Sequence, residues 1–284
     1  MIAVIPVAGL GTRLLPSTKE QPKEMLPVFA RNSSGTISLK PTIQIIFEQL
    51  FESGIRNFLF VIGRGKRIIE DHFTPDRGYL ELLVKRGKIT KAEELKQFYN
   101  MIGSSFIAWV NQDEPLGFGD AVLRSKHLVV NSEFMVHAGD TLILSCRNHI
   151  VALIECFKDM HADAVFYVKE VDDPRKYGVV IPAEKSGIGD VFKVKGVIEK
   201  PEVPPTNLAI LPIYVFKPLI FKALESIEPS SRGELELTDA IQKLIDWGCN
   251  VFARKIPNGA LWIDIGTPET YWIALKKTYE LAKQ

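Results

Sequence analysis

The chain begins with an unbroken apolar run rather than an alternating one. Residues 2–7 read Ile-Ala-Val-Ile-Pro-Val, and residues 57–62 read Asn-Phe-Leu-Phe-Val-Ile. Continuous apolar runs of this length are typical of strands buried on both faces, as in parallel sheets. Further strands are predicted at residues 106–110, 133–138 and 162–169, with helical segments between several of them. This alternation predicts an α/β fold built on a mainly parallel sheet.

Helices and one irregular segment connect the predicted strands of the first half. A helix is predicted from Lys40-Pro41 to Gly54, because proline is common in the first turn of a helix and glycine just after its end. Residues 76–101 predict one or two outer helices, and residues 147–160 predict another. Residues 29–39 are rich in Ser, Gly and Asn, which predicts a turn or a mobile flap.

The pattern changes after about residue 170. Residues 177–181 and 191–198 are predicted to pair as a hairpin that turns around Lys185-Ser186-Gly187, and residues 207–216 form another predicted strand. The rest is predicted as two helices, a strand and a terminal helix: residues 218–226, 235–247, 251–255 and 268–281. No repeat or obvious linker divides the chain, so we expect one continuous sheet in a single domain, residues 1–284.

Composition excludes several classes of function. The 284 residues are 46% hydrophobic and 24% charged, and the net charge of +1 provides no field to attract nucleic acid or a membrane surface. No apolar run is long enough to span a bilayer, and the N-terminus lacks the pattern of a signal peptide. Cys146, Cys156 and Cys249 lack metal-ligand spacing, so we expect three buried thiols, the first two on one helix, in a cytoplasmic protein.

The first candidate for chemistry is the loop after the first strand, Ala8-Gly9-Leu10-Gly11-Thr12-Arg13. Loops at the carboxyl ends of parallel strands are where α/β sheets bind ligands, and glycines let backbone N–H groups approach a phosphate. Arg13 and Lys23 add two cations, so a phosphate-rich substrate is predicted. Leu14 stands where a dinucleotide fingerprint needs its third glycine, and the P-loop Gly-Lys-Ser/Thr is missing. A nicotinamide oxidoreductase is therefore disfavoured.

This loop, followed by Pro22-Lys23-Glu24-Met25-Leu26-Pro27, resembles the signature of sugar-1-phosphate nucleotidyltransferases. The similarity is greatest to the bacterial-type UTP–glucose-1-phosphate uridylyltransferases and runs to about residue 271, apart from residues 31–39 and 76–105. It implies a Rossmann-like mixed, mainly parallel sheet flanked by helices, with an appended β-rich half. Residues 1–170 would then bind the nucleotide and residues 171–284 the sugar phosphate. It further implies UTP and glucose 1-phosphate as substrates, Mg²⁺ as cofactor, and a homodimer or homotetramer.

The resemblance also assigns roles to individual residues around the nucleotide. Eight of them would contact it: Ala8, Gly9, Gly11, Thr12, Arg13, Glu24, Gln112 and Gly117. Arg13, Lys23 and Asp140 would be catalytic, with Lys23 neutralising the α-phosphate and the attacking phosphate. Gln112 and Gly117 would read the base, because a side-chain amide can donate and accept along the imide edge of uracil or thymine. Asp120 departs from the family, whose uridylyltransferases carry His at that position.

Two aspartates are the candidate metal ligands. Asp140 follows Gly139 at the end of a predicted buried strand, where a carboxylate is costly unless it is paired or binds a cation. Asp264 ends another apolar run, and magnesium takes one or two carboxylates together with phosphate oxygens. Their meeting is implied by the family fold and not by their spacing. The family's usual Asp-Asp pair is Asp140-Thr141 here, so only its first acid is retained.

The sugar-phosphate side is assigned by resemblance alone: Gly178, Glu199, Lys200, Asn207 and Tyr214. Glu199 would bind sugar hydroxyls and Lys200 the sugar phosphate; without the resemblance, Glu199 and Lys200 would be taken for an exposed ion pair. Residues 31–39 lie close enough to the phosphate loop to be considered a lid. Two alternatives remain open: a thymidylyltransferase that uses dTTP, and a non-catalytic sensor of sugar nucleotides on the same fold.

Overall fold

The computed structural model describes residues 1–32, 35–145 and 148–284, and within them the chain folds into strands and helices in mixed order. The strands are β1 (Ile2–Pro6), β2 (Pro27–Arg31), β3 (Ile37–Pro41), β4 (Asn57–Ile62), β5 (Phe106–Asn111), β6 (Phe134–His137), β7 (Thr141–Leu144), β8 (Ala164–Glu170), β9 (Gly178–Ile188), β10 (Val191–Glu199), β11 (Leu208–Phe216), β12 (Val251–Lys255) and β13 (Leu261–Asp264). The helices are α1 (Thr42–Glu52), α2 (Arg67–His72), α3 (Arg77–Lys85), α4 (Ile89–Gly103), α5 (Phe118–Leu123), α6 (His149–Asp159), α7 (Leu219–Glu225), α8 (Leu237–Asp246) and α9 (Pro268–Lys283).

Nine strands form the main sheet, in the order β5-β4-β1-β6-β11-β8-β12-β10-β9. From β5 to β6 all neighbours are parallel, as the apolar runs predict. β11 then runs antiparallel to both β6 and β8, β12 is parallel to β8, and the β9–β10 hairpin closes the far edge. The expected mixed α/β fold with a β-rich second half is confirmed, and the sheet continues through both parts of the chain.

The core lies on both faces of this sheet, which explains the absence of alternation in β1. Ala3 and Ile5 belong to one apolar cluster with Phe47, whereas Val4 belongs to a second cluster with Phe134. Ala3, Val4 and Ile5 are fully buried. The hydrophobic effect therefore favours apolar side chains at consecutive positions, because a strand between two helical layers has no face in water.

Two short antiparallel sheets were not predicted. β7 pairs with β13, and this pairing brings Asp264 opposite Thr141. β2 pairs with β3, so residues 29–31 and 37–39 are strand where a turn or mobile flap is predicted, whereas the predicted turn is present between them, with the Asn32 N–H donating to the Thr36 carbonyl at 3.0 Å. The hairpin packs on α9: the Phe29 N–H donates to Thr278 Oγ1 (3.2 Å), and the Phe29 and Tyr279 rings lie 5.0 Å apart.

Other predicted boundaries differ from the structure at a few places. β4 and β12 match their predicted ranges, and residues 76–101 form the two helices α3 and α4. The β9–β10 hairpin turns at Gly189-Asp190 instead of residues 185–187, because Gly189 adopts a positive φ of 62°. Cys156 is buried on α6 as expected, but Cys249 is only half-buried, since it follows the end of α8 near the surface; Cys146 lies outside the described residues. No described helix is long and apolar enough to cross a membrane.

Candidate active site

A cleft of about 340 Å³ opens where β1 and β5 end. Its lining includes all eight residues expected to contact the nucleotide, together with Lys23 and Asp140: Ala8, Gly9, Gly11, Thr12, Arg13, Lys23, Glu24, Gln112, Gly117 and Asp140. A larger groove of about 990 Å³ lies between the β2–β3 hairpin and α3–α4, and none of the predicted site residues line it. The candidate chemistry is therefore concentrated in the smaller, polar cleft.

Lys23 and Asp140 form an ion pair at the centre of the cleft. Both side chains are only 16% exposed. Burial alone would lower the pKa of Lys23, but the carboxylates of Asp140, Glu24 and Asp264 together raise it above its ordinary value. Burial likewise opposes ionisation of Asp140, yet Lys23 holds the pKa of that carboxyl below its usual range. The pair is thus fully charged at neutral pH.

Asp140 is brought to the phosphate loop by a close backbone contact at Gly139. A Cβ on Gly139 would lie 2.4 Å from Val7 Cγ1 and 3.0 Å from Glu24 Cγ, so no larger residue fits between the end of β6 and the loop. The Gly139 N–H donates to the Pro6 carbonyl at 3.3 Å, which holds the two strand ends side by side.

Asp264 reaches the same place through the β7–β13 pairing. It lies opposite Thr141 in the register, and the Ile265 N–H donates to the Asp140 carbonyl at 3.0 Å. Burial, and then the neighbouring Asp140 carboxylate, raise the pKa of Asp264 to about 6, although Lys23 and Arg13 oppose this. Two carboxylates separated by more than a hundred residues therefore meet beside two cations, as the resemblance implied.

These two carboxylates fit a divalent cation. Burial and then the Asp140 carboxylate raise the pKa of Asp264, and a cation held by both carboxylates would offset their repulsion. Magnesium uses one or two carboxylates plus phosphate oxygens. Among the described residues no group of three or more His, Cys, Asp or Glu side chains could hold a metal ion. The remaining ligands would have to come from substrate and water.

Glu24 has a partner that the sequence did not single out. Lys66 Nζ lies 3.2 Å from Glu24 Oε2, and the two side chains are 8% and 2% exposed. Burial raises the pKa of Glu24, while Lys66 and Lys23 pull it back down. Lys66 follows Gly63-Arg64-Gly65 after β4, which is another glycine-containing loop at the carboxyl end of a parallel strand. That position was the available signal for Lys66.

The loop predicted to read the base is built around Gln112 and Gly117. The Gln112 N–H donates to the Ile62 carbonyl (2.8 Å), so the residue extends β5 past its end. Its side-chain Nε2 donates to the Gly117 carbonyl (3.0 Å) and to Asp120 Oδ2 (2.8 Å). Gly117 has a φ of 105°, and a Cβ there would lie 2.8 Å from the Leu235 backbone, so only glycine fits.

The residues predicted for the sugar phosphate form a second cluster. Lys200 Nζ lies 3.0 Å from Glu199 Oε1, and Thr238 Oγ1 donates to Glu199 Oε2 at 2.7 Å. A Cβ on Gly178 would lie 2.8 Å from Thr238 Oγ1 and 3.2 Å from Glu199 Oε2, so Gly178 lies directly against this pair. Arg232, which was not predicted, approaches Glu199 to 3.9 Å and pairs with Glu236.

Tyr214 adjoins this cluster, but Asn207 does not. Tyr214 is buried, and burial followed by the carboxylates of Glu199 and Glu236 raises the pKa of its phenol. Its ring lies 6.4 Å, centroid to centroid, from Phe118, which lines the cleft, so the two groups of residues are neighbours. Asn207 is exposed just before β11, and no hydrogen bond between described residues joins it to Glu199 or Lys200.

Comparison with known proteins agrees with this geometry. Residues 2–280 match the family model described as Nucleotidyl transferase. A Mycoplasma pneumoniae protein named UTP–glucose-1-phosphate uridylyltransferase is 37% identical over 269 residues, 93% of this chain and 87% of that protein. A Bacillus subtilis protein of the same name is 37% identical over 246 residues, 85% and 79% of the two chains. The crystal structure of a UDP-glucose pyrophosphorylase complexed with UDP-glucose superposes with a TM-score of 0.84 at 29% identity, covering 99% and 98%.

Proposed function

Because the chain belongs to the nucleotidyl transferase family, we propose that it transfers a uridylyl group from UTP to glucose 1-phosphate, giving UDP-glucose and pyrophosphate. The enzyme is a nucleotidyltransferase, and its relatives named for this activity align over most of its length. The observation that carries the proposal is the cleft lined by the glycine loop, Lys23 and Asp140, with the Asp264 carboxylate close beside it.

The proposed reaction is a direct displacement. An oxygen of the sugar phosphate attacks the α-phosphorus of UTP, the bond from that phosphorus to the bridging oxygen breaks, and pyrophosphate leaves with the electron pair. Two anions must approach each other, so positioning and charge neutralisation supply most of the rate. Backbone N–H groups of the loop and Arg13 would hold the triphosphate, and Lys23 would neutralise the α-phosphate. Direct attack predicts inversion at the α-phosphorus.

A divalent metal ion is general in this family, and we propose magnesium held by Asp140 and Asp264. When bound, the ion would neutralise phosphate charge and orient the α-phosphate. Arg13 lies close to the same carboxylate, because a Cβ on Gly266 would lie 3.0 Å from Asp264 Oδ2 and 3.1 Å from Arg13 Nη2.

The sugar phosphate would bind at the second cluster, in the part of the chain after residue 170. Glu199 can accept from sugar hydroxyls, and Lys200 can donate to the phosphate. Thr238 Oγ1 and Glu199 Oε2 occupy the space beside Gly178, so the glycine would act by letting Glu199 lie close to the backbone. Tyr214 and Asn207 complete the set that the resemblance implies. The nearness of Tyr214 to Phe118 supports a path for the sugar from this cluster to the nucleotide.

A pyrophosphate-release screen tests this function and its rivals. UTP, dTTP, CTP and ATP are each supplied with several sugar 1-phosphates, and turnover is expected with UTP and glucose 1-phosphate. A higher kcat/KM for dTTP would make the enzyme a thymidylyltransferase. Absence of release with every pair would favour a sensor, which the presence of Arg13, Lys23, Asp140 and Asp264 argues against.

We further propose a cytoplasmic homodimer or homotetramer. The described cysteines Cys156 and Cys249 are free thiols. The amphipathic helix α3 has no fully buried residue, and it leaves Tyr79, Leu82 and Val84 between 40% and 51% exposed. Apolar side chains clustered on one helix favour an intermolecular contact. Light scattering at micromolar concentration distinguishes an oligomer from a monomer of 31.9 kDa.

A further inference from the structure

The amide of Gln112 is held by a buried carboxylate. Gln112 and Asp120 are 5% and 8% exposed, and Gln112 Nε2 donates to Asp120 Oδ2 at 2.8 Å. The same Nε2 donates to the Gly117 carbonyl at 3.0 Å. Arg124 Nε donates to the same oxygen, Asp120 Oδ2, at 3.3 Å, which helps to fix the carboxylate.

Both partners of Nε2 can only accept hydrogen bonds. A backbone carbonyl has no hydrogen, and an ionised carboxylate paired with arginine has none either. If the amide rotated by 180°, Oε1 would face two acceptors and two hydrogen bonds would be replaced by repulsion. The orientation of Gln112 is therefore fixed, with Nε2 turned into the protein and Oε1 left as the group available at the cleft wall.

The cleft consequently offers one acceptor and one donor in defined places. No hydrogen bond between described residues engages Gln112 Oε1, and none engages the Gly117 N–H. Uracil presents an N3–H donor flanked by carbonyl acceptors. Cytosine presents an N3 acceptor beside an amino donor, which is the reverse pattern. If Gln112 Oε1 faces position 3 of the base and the Gly117 N–H faces position 4, this acceptor and donor match the N3–H and O4 of uracil and oppose the N3 and amino group of cytosine.

We propose that Asp120 is a positioning residue that sets the preference for uracil over cytosine by holding the Gln112 amide in one orientation. The proposal rests on the nucleotidyltransferase function above and adds to it a residue that does not touch the base. Without Asp120 only the Gly117 carbonyl holds Nε2, so rotation of the Gln112 amide costs one hydrogen bond instead of two and the other group can reach the base more often. Thymine has the same imide edge as uracil, so the preference between UTP and dTTP does not depend on Asp120.

The test compares kcat/KM for UTP, CTP and dTTP, each with saturating glucose 1-phosphate, in four proteins. Asp120→Leu removes the acceptor at similar volume, and the UTP/CTP ratio should fall by about tenfold or more. Asp120→Asn retains an oxygen that can accept from Nε2, so it should keep most of the ratio. Asp113→Leu is the matched control, because Asp113 is 76% exposed and also pairs with Arg124 (3.5 Å); it should leave the ratio unchanged.

Further readouts separate this role from a general loss of structure. The UTP/dTTP ratio and the KM for glucose 1-phosphate should be unchanged in Asp120→Leu. A distorted site would instead alter both of these and the UTP/CTP ratio. If that variant does not fold, Asp120→Ser is used, because a serine at this position is too short to hold Nε2 and admits water, which accepts or donates equally. It should lower the UTP/CTP ratio in the same way.

The outcomes are distinct. A folded, active Asp120→Leu or Asp120→Ser enzyme with the wild-type UTP/CTP ratio would overturn the assignment of Asp120 while leaving the uridylyltransferase function intact. An equal loss of ratio in Asp113→Leu would also overturn it, since the effect would then come from Arg124. If the wild-type enzyme released no pyrophosphate from any triphosphate, the proposed function itself would fail.

Discussion

The buried pair of Glu24 and Lys66 gives the sharpest test of how the cleft is held together. Replacing Lys66 by Met keeps most of the side-chain volume and removes the charge that lies 3.2 Å from Glu24 Oε2. Glu24 is 2% exposed, so water cannot replace the lost partner. We expect the variant to be destabilised far more than an ordinary surface change would allow.

The magnitude follows from the geometry. At 3.2 Å and an effective dielectric constant of about 20, the gross attraction between the two charges is about 5 kcal/mol. The desolvation of both groups offsets much of this, but removing one partner leaves the other charge buried, which costs roughly 3–5 kcal/mol. Burial already raises the pKa of Glu24, so this carboxyl group partly relieves the loss by binding a proton.

A double-mutant cycle measures the coupling. Urea unfolding at neutral pH is followed for the wild type, Lys66→Met, Glu24→Gln and the double variant. Each single change should lower the free energy of unfolding by about 3 kcal/mol or more. The double variant leaves neither charge of this pair unpaired, so its loss of free energy should be at least about 2 kcal/mol smaller than the sum of the two single losses. Lys277→Met is the matched control, because the Lys277–Glu280 pair is half exposed at 3.5 Å and should contribute under about 0.5 kcal/mol. Strictly additive single effects would refute the reasoning.

Three further predictions concern the same molecule. Lys23→Ala should lower kcat by roughly 10²–10³-fold with unchanged circular dichroism, because it removes the cation beside the reacting phosphates. Asp264→Asn should raise the Mg²⁺ concentration needed for half-maximal activity. In the wild type that concentration should rise as the pH falls below about 6, because Asp264 then takes up a proton. The variant should show no such pH dependence. Burial lowers the pKa of His137 to about 4, so its contribution to stability is complete above about pH 6.5 and falls by up to about 1.4 kcal/mol per pH unit from there to about pH 4. His137→Gln should reduce the slope of stability against pH in that interval, which His72 and His149 share.

Each of these has a contrary outcome. Full turnover in Lys23→Ala would remove that residue from the mechanism. An unchanged magnesium requirement in Asp264→Asn would mean that Asp264 is not a ligand. Parallel stability curves for His137→Gln and the wild type between pH 4 and 6.5 would show that this histidine already carries its proton in the folded state.

The sequence predicts best what depends on neighbouring residues. The strand β1 and the loop that follows it are recognised from a dozen consecutive positions, because burial on both faces and close approach to phosphate act locally. The nearness of Asp140 and Asp264 is different in kind. It depends on pairing between β7 and β13, and nothing in the sequence of either short strand indicates which strand it pairs with. Only the family resemblance supplied that contact.

Two misses have the same physical origin. The composition of residues 29–39 favours turns and therefore predicts a flap. The β2–β3 hairpin forms there because α9, at the other end of the chain, provides a surface for it to pack on. Lys66 lacked an assignment because its partner Glu24 lies 42 positions away and becomes buried only when the strand ends converge. Neither the composition of a segment nor its periodicity reports such distant partners.

The position of β11 has a consequence for the way this protein emerges from a ribosome. β6 and β8 are made early, yet the strand that lies between them is not complete until residue 216. While the 46 residues from the end of β8 at residue 170 to the end of β11 at residue 216 are synthesised, both strands present unpaired edges, and such edges recruit foreign strands. The nascent chain is therefore vulnerable to aggregation in that interval, and the middle of the sheet can be completed only after most of the polypeptide has been synthesised.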